Sequence, residues 1–384
     1  MLIAVLVGER GGLGFQRPHG HPAGALAGIR LAPSRAISSR SDRPSARGVG
    51  EVSQRREAEP DGRPTSLAPA RPYLNDPGAD RAFGRDRWHV TALDVCVVGS
   101  ANLDLVARVE RLPGPGETLL GKHYFEAAGG KGLNQAVAAS RSGARTAFVA
   151  CVGRDSAGTA LLSVMTADRI DTEPVGLVDT ATGRALIAVA DDAENSIVVI
   201  AGANALLTPA WIARQRSVIA RASVVLAQLE IPLESVVATF EIARAVGRTT
   251  VLNPAPARPL SPDLLRLIDV LVPNQHEVEL LGGTAALLAG GVRAVVVTEG
   301  ARGARLVVAG SESHIAPFVV RTVDTTAAGD SFCGALAARL AAGDPLEDAL
   351  PWAAAAGALA TTSIGAVPSI PTAASIRSLL TGAG

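Results

Sequence analysis

SVVLAQLEIPLESVVATFEIARAVGRTTVLNPA, Ser223–Ala255, places two short apolar runs on either side of a helical segment, Leu233–Val246. The runs are nearly continuous rather than alternating with polar residues. Strands read this way when both faces of their sheet are covered, and strand, helix, strand is the order of a parallel βαβ unit. The same kind of run recurs outward from this stretch as DVCVVGS (94–100), TAFVACVG (146–153), DVLVPN (269–274), AVVVTEG (294–300) and RLVVAG (305–310). ALIAVA (185–190) and SIVVIAG (196–202) flank the polar turn DDAEN and predict an antiparallel hairpin. The expected fold class is α/β: a layered, mainly parallel sheet with a small β appendage.

Parallel sheets bind ligands beyond the carboxyl ends of their strands. Four runs close on a polar residue at that end: Glu230, Asn253, Asn274 and Thr298. Any one of them alone is explained as a helix cap or turn former. Together they predict a site.

Composition limits what that site serves. The chain has 384 residues, 48% hydrophobic and 19% charged, and its formal net charge is zero. A neutral chain offers no electrostatic case for nucleic acid or an anionic membrane surface. No apolar run reaches the ~18 residues of a membrane span. Cys96, Cys151 and Cys333 lie far apart in apolar runs, without metal spacing, which fits buried thiols in a reducing cytoplasm. Residues 1–90 carry 14 Arg and no Lys, with much Pro and Gly and no periodicity. They are expected to be a disordered or untranslated extension, leaving residues 91–384 as the folded domain.

Two glycine-containing segments point to chemistry. In DTTAAGDSF, Asp324–Phe332, small residues lead into an apolar periodic stretch. Ala327, Ala328, Gly329 and Asp330 are therefore expected in the first turn of a helix, where free N–H groups attract anions. Asp330 there would set a base beside a bound phosphate, as phosphoryl transfer to an alcohol requires. The plainer alternative is an Asp that only complements the helix dipole. In AAGGKGLNQAVAAS, Ala127–Ser140, Gly129, Gly130 and Gly132 precede a helix, and the spacing is neither a P-loop nor a Rossmann fingerprint. Such a turn suits a polyhydroxyl ligand, with Lys131 and Asn134 as hydrogen-bond partners. In GSANLD, alternation puts Asn102 and Asp104 on one face, where amide and carboxylate can hold vicinal hydroxyls.

GSANLD, PGPGETLLG, GGKGLNQA, FVACVG, AENSIVVIAGAN, QLE, LNPAPA, PNQHE and VDTTAAGDSF occur in that order from Asp94 to Ile370. The chain thereby resembles ribokinases of the PfkB sugar-kinase family. The resemblance implies a ribokinase-like α/β/α domain, a small β-sheet lid over the sugar that also forms a homodimer, and ATP-dependent phosphorylation of D-ribose at O5. It implies Asp330 as base and the backbone of Ala327, Ala328 and Gly329 as an anion hole. Sugar contacts fall to Asn102, Asp104, Gly130, Lys131, Asn134, Glu230 and Asp330. Nucleotide contacts fall to Asn274, Thr298, Gly300, Gly303 and Gly329, with Glu277 serving Mg²⁺, directly or through water. A monovalent cation, K⁺, is implied at Asp324, Thr326, Ala360, Ser363, Gly365 and Ser369.

Three departures from the family pattern bear on these expectations. Leu133 stands where a small Ala is usual, and either narrows the sugar pocket or points into helix packing. Glu299 adds an acid near the expected phosphates unless it faces solvent. The segment 282–292 is shorter than in relatives by roughly a helix and a turn. Two other readings stay open: a kinase for a nucleoside, deoxyribose or another small sugar, and a sugar-binding protein with weakened kinase activity.

Overall fold

The computed structural model describes residues 93–192 and 194–382. The chain divides between residues 88 and 89, and the expectations for residues 1–90 lie outside the described residues. The described strands are β1 (Leu93–Val98), β2 (Asn102–Arg108), β3 (His123–Gly129), β4 (Thr146–Gly153), β5 (Val175–Val178), β6 (Gly183–Val189), β7 (Asn195–Ile200), β8 (Ala222–Ala227), β9 (Thr249–Leu252), β10 (Val270–Leu271), β11 (Ala294–Thr298), β12 (Ala304–Val308) and β13 (Ser311–Ile315). Nine form one sheet in the order β13-β12-β11-β10-β9-β8-β1-β4-β5, and four form a second in the order β3-β2-β6-β7. The large sheet is parallel from β5 to β11, and the hairpin arms β12 and β13 continue it antiparallel.

The apolar runs follow from where the two cores lie. Val95 and Val97 of β1 enter one core with Leu133, Phe148 and Phe332. Cys96 and Val98, alternating with them, enter the other with Phe240, Leu252 and Val297. Successive side chains of a strand point to opposite faces, so helices on both faces demand apolar residues at every position. The helices Lys131–Arg141, Ala328–Ala341 and Leu346–Ala360 cover the first face, and Leu233–Ala245 covers the second. Each fully buried Leu or Phe contributes about 1.5–3 kcal/mol.

The predicted hairpin is β6 and β7, paired antiparallel within the small sheet. Of its companions, β2 carries the alternation expected at Asn102 and Asp104, whereas β3 was not legible as a strand, and His123–Glu126 explains why: all four residues are exposed, so β3 begins without a buried alternation. Gly132 is also placed differently from the expectation, inside the first turn of the Lys131–Arg141 helix rather than before it. None of the described helices is long and apolar enough to cross a membrane.

Candidate active site

The small sheet joins the large one at the carboxyl end of β1, where the chain passes through Gly99–Ala101 into β2 and returns from β3 into the Lys131–Arg141 helix. The return is tight. Gly130, the helix N-cap, has φ 91°, and a Cβ there would sit 2.8 Å from the Asn102 nitrogen, so only glycine fits. A Cβ on Gly129 would overlap the Asp104 carboxylate. Both glycines therefore let β3 pass close to the two polar residues of β2.

Hydrogen bonds fix the start of this helix. Lys131 N–H donates to Glu230 Oε2 (3.1 Å), which also accepts from Ser100 Oγ (2.6 Å). Buried Asn204 accepts from Ala101 N–H at Oδ1 (2.9 Å) and donates from Nδ2 to Asn102 Oδ1 (2.7 Å). One helical turn on, Asn134 Nδ2 donates to Asp330 Oδ2 (2.9 Å), while Gln135 Nε2 donates to Asp330 Oδ1 (2.9 Å). Asp330 is only 7% exposed, so both carboxylate oxygens are held by amide donors in a mostly dry setting. Among the described residues, Asn134 Oδ1 is buried without a partner.

The cluster is electrostatically coupled. Burial first, then the charges of Glu230 and Asp330, push the Asp104 carboxyl up to about 7. Burial works to lower the Lys131 ammonium, but Asp330, Glu230 and Glu277 together outweigh it and hold Lys131 charged, above its ordinary value. Burial, with help from Asp330, raises Glu277, against the opposing Asn274 N–H and Lys131. Lys131 is thus the cation shared by the acids of the cleft.

The Ala328–Ala341 helix opens with Ala327 in the left-handed region, φ 59°, a conformation that costs a non-glycine residue of order 1–3 kcal/mol. The Ala328 N–H bends back to Thr325 O at 3.3 Å, so this member of the expected anion hole is engaged in its own turn. The Ala327 and Gly329 N–H groups make no hydrogen bond among the described residues. Gly329 is exposed, and a Cβ on it would meet no atom within 4 Å. An anion has room there.

Next to this turn, Asn274 and Glu277 form a capping box: Asn274 Oδ1 accepts from Glu277 N–H, and Glu277 Oε2 from Asn274 N–H, both at 2.8 Å. Thr298 bridges to Asn274 at the end of β11, and the turn of Gly300 and Gly303 follows. Glu299 does not face solvent. Its side chain is 11% exposed and pairs with Arg305 Nε at 3.1 Å, so its charge is compensated. Leu133 is fully buried in the first core, which places it in helix packing. The segment 282–292, expected to be short, holds one short helix, Thr284–Ala289.

Of the residues expected around a monovalent cation, three are tied together. Asp324 Oδ1 accepts from Thr326 N–H (2.9 Å) and Oγ1 (2.7 Å), and Oδ2 accepts from Gly365 N–H (2.9 Å). Burial would raise the Asp324 carboxyl, but these donors win and hold it low. Outside these bonds, Ser363 is exposed, Ala360 is buried, and Ser369 donates to Ala366 O at 2.8 Å. Among the described residues no three His, Cys, Asp or Glu side chains converge as a metal site. A cation at Glu277 would therefore need oxygens from its ligand or from water.

Sequence reasoning missed Ser100, Gln135, Asn204 and Gln228. Each is a polar residue that is buried, the kind of placement that asks for an explanation.

The model of the pfkB family carbohydrate kinases matches residues 92–373. The ribokinase of Haemophilus influenzae is 41% identical over 289 residues, covering 72% of this chain and 94% of the relative. The solved ribokinase of Thermotoga maritima has 34% identity and a TM-score of 0.71, covering 75% of this chain and 99% of that one. An Arabidopsis thaliana ribokinase solved with ribose and ATP has 31% identity and a TM-score of 0.71, with the same coverages. This chain belongs to the pfkB family of carbohydrate kinases.

Proposed function

We propose that this protein transfers the γ-phosphoryl group of ATP to O5 of D-ribose, giving ribose 5-phosphate and ADP. One observation carries the reading: Asp330, buried and held by two amides, stands in the first turn of a helix whose Ala327 and Gly329 N–H groups are free. The relatives named ribokinase, and the neighbour solved with ribose and ATP, support both substrates.

The ribose hydroxyls meet Asn102, Asp104, Gly130, Lys131, Asn134 and Glu230. The 5-hydroxyl faces Asp330. An alcohol is too weak an acid to be deprotonated in advance by a carboxylate, so its proton passes to Asp330 as O5 commits to the phosphorus. The O5–P bond forms, the bond from the γ-phosphorus to its bridging oxygen breaks, and ADP leaves with that electron pair. The Ala327 and Gly329 amides take up charge on the transferring group. Asn274, Thr298, Gly300 and Gly303 hold the nucleotide.

Glu277, with one carboxylate oxygen outside the capping box, suits a Mg²⁺ carried with the phosphates, and the ion would offset their charge. Asp324, Thr326 and Gly365 mark the loop where K⁺ would bind and stiffen the anion-hole turn. The small sheet supports a homodimer: β7 leaves Ile197 and Val199 half-exposed on one face and Val198 and Ile200 on the other, so sugar and a second copy can each cover one. The three buried free cysteines fit a reducing cytoplasm.

A coupled ADP-release assay over ribose, deoxyribose, fructose and adenosine, with and without K⁺, tests the reading. ADP release highest with ribose and raised by K⁺ is expected. Preference for another acceptor would overturn the substrate, and ribose binding without ADP release would overturn the kinase.

A further inference from the structure

Gln135 grips the proposed base from inside the fold. It is fully buried, and its Nε2 donates both to Asp330 Oδ1 (2.9 Å) and to Asn253 Oδ1 (3.1 Å). Its Oε1 accepts from Nε2 of buried Gln228 at 2.6 Å. Asn253 Nδ2 in turn donates to the backbone carbonyl of Val272 at 2.9 Å. Gln228 follows β8, Asn253 follows β9 and Val272 follows β10, so three neighbouring strands contribute.

The sense of these bonds matters because an amide is nearly symmetric in shape. Turning it over exchanges NH₂ for oxygen at little steric cost. Only one orientation of Gln135 serves Asp330, since the other would set oxygen against a buried carboxylate oxygen. A backbone carbonyl cannot turn over, so Val272 fixes which way Asn253 faces. Asn253 then presents its oxygen to Gln135, and Gln228 presents its NH₂ from the other side. Asn253 thereby demands the orientation in which Gln135 offers NH₂ to Asp330, and Gln228, whose Oε1 has no partner among the described residues, takes the matching sense. With Asn134 on the second carboxylate oxygen, the base is held at both ends.

We propose that Gln135 is a positioning residue for phosphoryl transfer, that Asn253, anchored on the Val272 carbonyl, sets the sense of its amide, and that Gln228 holds the far end of that amide so that it aims the Asp330 carboxylate. This rests on Asp330 acting as the base. Gln135 is fully buried and stands outside the residues proposed to meet sugar or nucleotide, so its removal should act on the chemical step and spare binding. A buried hydrogen bond to a charged group is worth about 10–100-fold when one partner is lost.

The test uses the full chain. Gln135→Met keeps the length of the side chain and removes the donor, and kcat for ribose is expected to fall by at least about tenfold. The ribose Kd from calorimetry is expected to stay within about twofold, because a positioning loss falls on kcat. Gln228→Met, which touches neither Asp330 nor the sugar residues, is expected to lower kcat by a smaller factor. In the Gln135→Met background it is expected to lower it no further, since residues acting as one unit are not additive. Gln135→Met with kcat within twofold of wild type, or Gln228→Met acting equally in both backgrounds, overturns the proposal. Should Gln135→Met fail to fold, Gln228→Met carries the test: kcat lowered at constant Kd supports it, and unchanged kcat overturns it. Asp330→Asn measured alongside separates the two levels. If that variant keeps its turnover the base itself is wrong, and the positioning role goes with it.

Discussion

Asp104 and Asp330 sit in one cleft, yet they are arranged for different work. Asp330 is surrounded by donors, whereas burial and two acidic neighbours raise Asp104 to about 7. A carboxyl raised above its unfolded value of ~3.9 stabilises the fold below that value and loses the contribution as pH climbs through its folded value. Sugar-free protein should thus lose stability from this source between about pH 4 and 7. Asp104→Asn should melt above wild type at pH 8 and close to it at pH 4, and an equal difference at both would contradict the shift. Hydroxyl donors from ribose favour the ionised form, so ribose should bind more tightly at pH 8 than at pH 6, a dependence that Asp104→Asn abolishes. The polar residues proposed to face a ligand could be named from sequence, because GSANLD, GGKGLNQA and QLE carry polar groups at strand and helix ends. The residues behind them could not. Gln135 adjoins Asn134 and Gln228 stands two residues before Glu230, but only three-dimensional contact shows which carboxylate they serve.

At the scale of elements, the two helix starts at Lys131 and Ala328 do opposite things with their free N–H groups. The Lys131 N–H is closed by Glu230, and the start at Ala328 is left open at Ala327 and Gly329. Gly329→Val should fold normally, since the added Cβ meets no atom within 4 Å. It should raise the KM for ATP by about tenfold, the scale of one lost charge-assisted bond. An unchanged KM would remove the phosphate from that turn. Leu133→Ala should behave in reverse, costing about 2–5 kcal/mol of stability in denaturant unfolding through its buried cavity. It should leave the ribose Kd within about twofold, and a large change in Kd would return Leu133 to the sugar pocket. The parallel strands and the β6–β7 hairpin were readable because burial on two faces, or a polar turn between apolar runs, marks them directly. β3 was hidden because its first four residues are all exposed and carry no buried alternation. The pairing of Glu299 was not legible either, because its partner Arg305 comes from β12, across the hairpin.

Among the described residues, a large sheet covered by helices on both faces is joined to a small sheet whose edge strand β7 is exposed on both faces. Exposed Ile197, Val198, Val199 and Ile200 on the edge strand β7 are the kind of surface that a second chain covers. Ile197→Asp should convert a dimer to a monomer in light scattering with its helical signal intact, and a wild type that is already monomeric would rule out the lid interface. The carboxylate of Asp330 is held by Asn134 and Gln135 at the start of the Ala328–Ala341 helix, and the proposed function turns on it. The decisive measurement is a pair of numbers on one preparation of Asp330→Asn, steady-state turnover with ribose and ATP, and the ribose Kd. Turnover should fall at least ~10²-fold with the Kd preserved. Turnover near that of the wild type would contradict the assignment of this acid as the base and, with it, the proposed chemistry of the cleft.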